Sequence, residues 1–453
     1  MTSIPHVAGA IHNVLGAIDE QVARKTGFTQ RQSKLSATRF IQAVVPAWLQ
    51  NPRATLSELS QAAAGVGVPS TPQGLNKRFG PEAAALLEWV LSRALEEVIS
   101  AEPVAIPLLQ RFASVIIQDS SIICLPDDLA WVWQGCGEAG AHGSAALKLQ
   151  VRYDVLRGTL MGPLLQPGRC SDRASALQGA RGEAGALQLK DLGYFSVEHL
   201  GDVDAEGGYF LTRFYLQTAL FDAEGRRLDL SRMLAAAPDE GLDVVVCIGA
   251  KQRLPVRLLG VRVSQEVADQ RRRKALVHAR DKGKAPSQVR LRYADWTILV
   301  SNVPIEKLCL VEAMVFTPAL ALRASAGASV GVRWQIELLF KLWKGQGKVD
   351  EWRSLAPWRI LCEAYAKLIG MILQHWLTLV GCWGKPHRSM VKAAQVVRRH
   401  APMLASALAG RIDLQVCIGQ ICCSMQAGCT MKPAKAPSQH LSTATHLPRG
   451  RLG

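Results

Sequence analysis

The sequence predicts a mixed fold, α+β with α/β character, and three observations carry that reading. Residues 1 to about 105 are patterned as helices, with apolar residues at helical spacing over Ile11 to Val22, Ala37 to Leu49 and Leu56 to Ala63. From about residue 110 the pattern changes to short β-branched and alternating runs. After residue 305 it becomes helical again, through Gly331 to Lys344 and then Pro357 to Val380. The domain boundaries that follow are 1–105, 106–219, 220–304, 305–400 and 401–453.

The N-terminal region carries one local motif. Leu56 to Ala63 is followed by the turn Gly65-Val66-Gly67, then Ser70 as a cap and Pro72 in the first turn of a second helix that bears Asn76, Lys77 and Arg78. A short helix, a glycine turn and a basic helix outline a helix-turn-helix, with Lys77 and Arg78 as DNA contacts. An ordinary helical bundle fits the same pattern, and both readings stay open.

In the middle of the chain, Ser114 to Gln118 is a β-branched run ending at Asp119. Ala146 to Val155 alternates as a half-buried strand, with Leu160 to Leu165 as its neighbour. Ala174 to Ala186 is helix-permissive and leads to Leu187-Gln188-Leu189-Lys190, a second run ending in a carboxylate, Asp191. Tyr209 to Tyr215 is a third strand. Residues 220–304 read as a β-rich insertion with strands at Val244 to Val246, Val256 to Val263 and Thr297 to Val300. Within the insertion runs Arg271-Arg272-Arg273-Lys274, then Arg280, Lys282 and Lys284. Such a run is first a solvated helix face, and in a basic chain phosphate contact is the second reading.

The segment Gly331 to Lys344 reads as one helix. Ile336, Leu339, Phe340 and Trp343 form its apolar face, and Arg333, Glu337, Lys341 and Lys344 share one narrow sector. Salt bridges at i,i+4 explain that sector as well as a polar edge facing an anionic, metal-bound substrate. Taken with the two β runs ending in aspartate, Asp119, Asp191 and Glu337 are candidates for an acidic triad. Three carboxylates repel at close range and need a cation, and hard oxygen ligands select Mg²⁺ or Mn²⁺. Two such ions support in-line phosphoryl transfer.

Whole-chain properties bound the partners. A net charge of +16 over 453 residues favours a polyanion, nucleic acid before anionic membrane. Leu361 to Trp383 is the most membrane-like stretch, but Glu363, Lys367 and His375 mark it as a core helix. The eleven cysteines include no C-x-x-C, which implies reduced thiols in a cytoplasmic protein without zinc or disulfides. From about residue 428 the tail has few large apolar groups and reads as disordered.

These residues carry a family resemblance. Arg333, Glu337 and Lys344 match the last three letters of Y-x2-R-x3-E-x6-K, and the surrounding R-W-Q-I-E-L-L-F-K is similar to the same family. Gln118-Asp119-Ser120-Ser121, Asp191-Leu192-Gly193-Tyr194-Phe195, Tyr209 to Arg213 and Ser301-Asn302-Val303-Pro304 resemble its other segments, in order. The chain resembles a DDE transposase of bacterial insertion sequences over roughly residues 25 to 400. That resemblance implies a ribonuclease-H-like core with a β-rich insertion and a helical N-terminal domain. It implies Mg²⁺ (or Mn²⁺) on Asp119, Asp191 and Glu337, and phosphate contacts from Arg333, Lys341 and Lys344, with Arg213 assisting. It also implies cleavage at element ends, strand transfer to target DNA, and a homodimer on double-stranded DNA near the nucleoid.

One position departs from the signature: its tyrosine place is Val330, preceded by the small-residue-rich Thr317 to Ser329. A DNA-binding transposase remnant without activity is therefore the alternative. A distant third class is a serine hydrolase, because Gly327-Ala328-Ser329-Val330-Gly331 matches G-x-S-x-G, with His375 or His387 as a base.

Overall fold

The computed structural model describes residues 2–31, 34–137, 143–178, 183–281, 283–316, 334–383, 385 and 389–430. The N-terminal helices are α1 (Ile4–Leu15), α2 (Glu20–Lys25), α3 (Ala37–Gln50), α4 (Leu56–Gly65), α5 (Pro72–Asn76) and α6 (Pro81–Glu96). The core then runs β1 (Val115–Leu125), β2 (Ala145–Asp154), β3 (Leu160–Pro167), β4 (Leu187–Lys190), α7 (Val197–Ala205) and β5 (Tyr209–Arg213). The insertion holds β6 (Leu220–Phe221), β7 (Arg227–Leu228), α8 (Leu230–Ala235), β8 (Leu242–Ile248), β9 (Leu254–Arg262), α9 (Gln265–Asp281), α10 (Gln288–Arg292) and β10 (Trp296–Ser301). The C-terminal part has α11 (Leu310–Val315), α12 (Trp334–Lys341), a π turn over Leu342–Gln346, α13 (Pro357–Cys382), α14 (Met390–Leu408) and α15 (Leu414–Gly428).

Local chemistry explains several of these limits. Thr55 and Glu58 close a capping box at the start of α4. Proline stands in the first turn of α5, α6 and α13, where its missing N–H costs nothing. Gly16 and Asp19 split the continuous helix expected over Ile11 to Val22, because Asp19 caps α2 afresh.

Among the described residues the strands form one sheet of order β3-β2-β1-β4-β5-β10-β9-β8-β6-β7. β1, β4 and β5 are mutually parallel, and the other pairings are antiparallel. Residues 220–304 are therefore not a separate β unit. Their long strands continue the core sheet through the pairing of β10 with β5. β1 also runs through Asp119 to Leu125, since β2 pairs with it along that whole length.

One face of the sheet packs Val115, Ile117, Leu149, Val151, Leu187, Leu189, Leu211 and Leu299 into the main core with α1, α3, α6, α12 and α13. The opposite face packs Phe210, Ile298 and Val300 against α7 and α8 in a second core. The N-terminal helices do not form a self-contained domain. α1, α3 and α6 pack directly on α13, α14 and α15. The region after residue 401 is likewise mostly helical up to Gly428, and the tail expected to be disordered lies outside the described residues from 431 onward.

α13 runs through the centre of this helical layer and is buried from Ile360 to Leu379. No described helix is long and apolar enough to cross a membrane. Its His375 donates from Nε2 to the Gly158 carbonyl at 2.7 Å, and Gly158 sits at φ +69 in the turn between β2 and β3. A Cβ at Gly158 would meet Leu379 Cδ2 at 2.4 Å. Gly158→Ala is expected to destabilise the fold by about 2 kcal/mol, through overpacking and left-handed backbone strain. The check is a lower urea midpoint with an unchanged slope.

Burial lowers the His375 pKa to about 4, from an ordinary 6.5. The unfolded chain then binds more protons than the folded one between those two values, so stability falls as pH drops through that window. His375→Gln keeps the donor and removes the titration. It is expected to flatten the pH dependence of stability between about pH 6.5 and 4, by up to about 3 kcal/mol, as read from denaturant melts.

Candidate active site

The register of the parallel strands builds the site. Gln118 lies opposite Lys190, and Lys190 opposite Thr212. One residue further along, Asp119, Asp191 and Arg213 form a row across β1, the end of β4 and β5. Neighbouring strands are about 4.8 Å apart, so the two aspartates are adjacent. Side chains alternate along a strand, which puts this row on the face of Ile117, Leu189 and Leu211, the main-core face. Asp119 Oδ1 accepts a bond from the Ser120 N–H at 2.8 Å. Asp191 stands at the start of the 3₁₀ turn Leu192–Tyr194, so the chain leaves the sheet as soon as the carboxylate is placed.

α12 packs on β1 from that same face. Ile336 and Leu339 enter the core and Glu337 is half-buried. The single regular helix expected from Gly331 to Lys344 is corrected here: after Lys341 the chain turns through a π segment. Gly347 follows it, where a Cβ would meet Met371 Sδ at 2.4 Å. The wider turn carries Lys344 off the α-helical phase, and its Nζ donates to the Ile122 carbonyl of β1 at 2.8 Å. Lys341 is exposed. Arg333, Val330, Ser329 and His387 lie outside the described residues.

Asp119 and Asp191 are thus brought together, with Glu337 on the helix that packs against the same face. Among the described residues, no group of three His, Cys, Asp or Glu side chains is gathered closely enough to hold one ion. The eleven cysteines stand as thiols rather than in disulfides.

The N-terminal cations are arranged differently from the outline of a recognition helix. α5 has only five residues and is capped by Thr71, not Ser70. It ends before Lys77 and Arg78. Arg78 turns inward, stacks 4.1 Å above the Phe28 ring and donates to the Phe28 carbonyl at 3.0 Å. Burial lowers its pKa.

The family described as "Transposase DDE domain" matches residues 110–373. The chain belongs to the DDE transposases. It is 26% identical over 379 residues to the transposase for insertion sequence element IS231B of Bacillus thuringiensis subsp. berliner, covering 78% of this chain and 75% of that protein. It is 23% identical over 375 residues to the transposase for insertion sequence element IS1151 of Clostridium perfringens, covering 78% and 76%. A piggyBac transposase in a synaptic complex with hairpin DNA aligns with a TM-score of 0.43 at 9% identity, over 93% of this chain and 85% of that one.

The transposase match spans Asp119, Asp191 and Glu337, and it leaves out α1 to α6, α14 and α15. Behind the aspartate row lies a polar network that sequence reasoning missed. Asp172 accepts from Ser120 Oγ at 3.0 Å, Gln150 Nε2 at 3.0 Å and Lys148 Nζ at 3.2 Å. Tyr194 donates from its hydroxyl to Gln150 Oε1 at 2.5 Å. Burial, then the nearby Asp172 charge, pushes the Tyr194 hydroxyl upward in pKa. Beside this network Lys190 contacts His199. Burial, then Arg152, lowers Lys190 to about 7; burial, then Lys190, lowers His199 to about 4. The sequence signal for Asp172 is faint, because it opens a 3₁₀ turn of three residues with no periodicity.

Tyr194→Phe leaves Gln150 Oε1 buried without its donor. The expected cost to the transposase is about 1–3 kcal/mol in a urea melt, whereas Tyr215→Phe, whose hydroxyl bond is exposed, is expected to cost less.

Proposed function

We propose that this transposase cuts DNA at the ends of an insertion sequence and joins the ends to target DNA, using Asp119, Asp191 and Glu337 as metal-binding carboxylates on a ribonuclease-H-like core. The observation that carries the reading is the parallel pairing of Gln118 with Lys190, the residues that immediately precede Asp119 and Asp191 on adjacent strands. Their oxygens are hard donors, which fits Mg²⁺ or Mn²⁺. Glu337, on α12 against β1, is the group assigned to complete the set. When bound, the metal supplies Lewis acidity at a phosphoryl oxygen and activates a water or 3′-hydroxyl.

The chain's own residues then have separate tasks. Asp119 and Asp191 hold their carboxylates from two strands fixed by the same ladder. Arg213, third in the row, presents a guanidinium to a phosphate one strand away. Lys344 keeps one N–H on the Ile122 carbonyl, which ties the π turn to β1 and leaves its charge for the DNA backbone. Arg333, Lys341 and Lys77 are assigned further phosphate contacts. Arg78, held on Phe28, supports the N-terminal helices rather than DNA. The acting form is a homodimer on two element ends.

The test is cleavage of a supercoiled plasmid carrying the cognate ends, with Mg²⁺, by wild type and by Asp119→Asn, Asp191→Asn and Glu337→Gln. Each variant is expected to cut at least about 100-fold more slowly, the equivalent of about 3 kcal/mol, while DNA binding is retained. Chelation should abolish cutting, and Mg²⁺ or Mn²⁺ should restore it. Val330, where the signature carries tyrosine, favours a second reading, a remnant that binds DNA without cutting it. Equal absence of cutting by wild type and variants, with binding intact, selects that reading.

A further inference from the structure

Two carboxylates on neighbouring strands repel each other, and the strand ladder fixes their backbone but not their side chains. The residues that follow each aspartate converge on one further carboxylate, Asp172. Side chains alternate along β1, so Ser120 faces away from Asp119, on the side of its β2 partner Gln150 and of Lys148. There Asp172 Oδ1 accepts from Ser120, Gln150 and Lys148 together, and Lys148 also donates to the Cys170 carbonyl. Ser120 is thus tied by its hydroxyl, while its N–H is the donor that holds Asp119 Oδ1. The peptide between 119 and 120 cannot swing without breaking one of these bonds.

The link to the second aspartate runs through the turn Leu192–Tyr194, which starts as the chain passes Asp191. A Cβ on Gly193 would stand 3.1 Å from Asp172 Oδ2, so the backbone of this turn lies directly against the carboxylate. Tyr194, at the end of the turn, donates to the same Gln150 that donates to Asp172. Burial, then the charge of Asp172 and, less, that of Asp119, raises the Tyr194 pKa, so its hydroxyl lies within reach of both. The turn that carries Asp172 does little else. None of Asp172–Ala174 is buried, so it adds no apolar side chain to either core. A partly exposed ion pair such as Asp172 with Lys148 contributes little to stability by itself.

We propose that Asp172 is a positioning residue for the metal site: by tying Ser120 and the 192–194 turn, it sets the carboxylates of Asp119 and Asp191 before an ion arrives. The proposal rests on the reading of those two aspartates as metal ligands. Asp172 is not itself a ligand, and its effect passes through Ser120 and Gly193. Groups that orient ligands in this way change metal affinity by about 10–100-fold when removed.

The test measures Mn²⁺ binding to the full chain by titration calorimetry without DNA, beside urea melts of the same proteins. Asp172→Ala is expected to raise the Kd by about tenfold or more. Asp172→Asn keeps an oxygen that accepts from Ser120 and Gln150, and is expected to stay within about threefold of wild type, below that range. Ser120→Ala cuts only the link to β1, leaves Asp172 on Gln150 and Lys148, and is expected to raise the Kd as well, which keeps the test open if Asp172→Ala does not fold. Asp229→Ala, which removes a carboxylate that caps α8, is expected to leave the Kd unchanged. A lower melt midpoint for Asp172→Ala or Ser120→Ala with the wild-type Kd shows a purely structural role and overturns the proposal. So does an Asp172→Asn as weak as Asp172→Ala, because charge rather than position is then at work. If Asp119→Asn loses Mn²⁺ while Asp172→Ala and Ser120→Ala keep it, the proposal fails and the metal reading stands. If wild type and Asp119→Asn bind Mn²⁺ alike, or not at all, the metal reading fails and the proposal falls with it.

Discussion

The register between β1, β4 and β5 is the constraint on which the site depends. Side chains along a strand alternate between faces, so a slip of one residue in β4 would send Asp191 to the face opposite Asp119. Four residues hold that register. Leu187 and Leu189 are buried in the main core, while Gln188 and Lys190 point the other way. Burying each leucine contributes about 1.5–3 kcal/mol, and a slipped strand would forfeit that and drive the Lys190 charge into an apolar layer. The placement of the two carboxylates is thus a by-product of ordinary hydrophobic burial.

The second determinant is α13. Its Glu363 and Lys367 form a buried ion pair at 2.7 Å. Lys367 also donates to the carbonyls of Lys348 at 3.0 Å and Glu351 at 2.6 Å. Burial pulls the Lys367 pKa down and pushes that of Glu363 up, and the attraction between them opposes both shifts. Such a pair adds little over an apolar substitute, but it fixes geometry, since removing one partner strands the other. Here it ties the segment after the π turn to the central helix, and with it the position of α12 over the aspartates.

Much of this was legible in the chain. The runs before Asp119 and Asp191, the strand at Tyr209 and the helices α3 and α13 follow from local patterning, because each buries apolar residues spaced by its own sequence, and the cationic run of α9 is legible as a charged helix surface. Pairing partners were not legible. That β10 joins β5, and so merges the insertion with the core sheet, depends on residues about ninety positions apart, as the Leu299 and Arg213 pairing shows. The inward turn of Arg78 onto Phe28 depends on a partner fifty residues away. The π turn and the Asp172 network have no periodicity to read. For the row itself, family resemblance selected Asp119 and Asp191 from among many carboxylates, and the strand register then accounts physically for why those two meet.

The interleaving of chain ends has a consequence for how the protein is made. α1, α3 and α6 complete their core only against α13, α14 and α15, and α15 ends at Gly428. A ribosome that has delivered the first hundred residues has therefore released helices whose apolar faces have no permanent cover, and contacts this distant in sequence close slowly. Nascent chains spend nearly the whole of translation short of the native state, and a truncated product lacking the last two helices would be a poor fold at both of its ends.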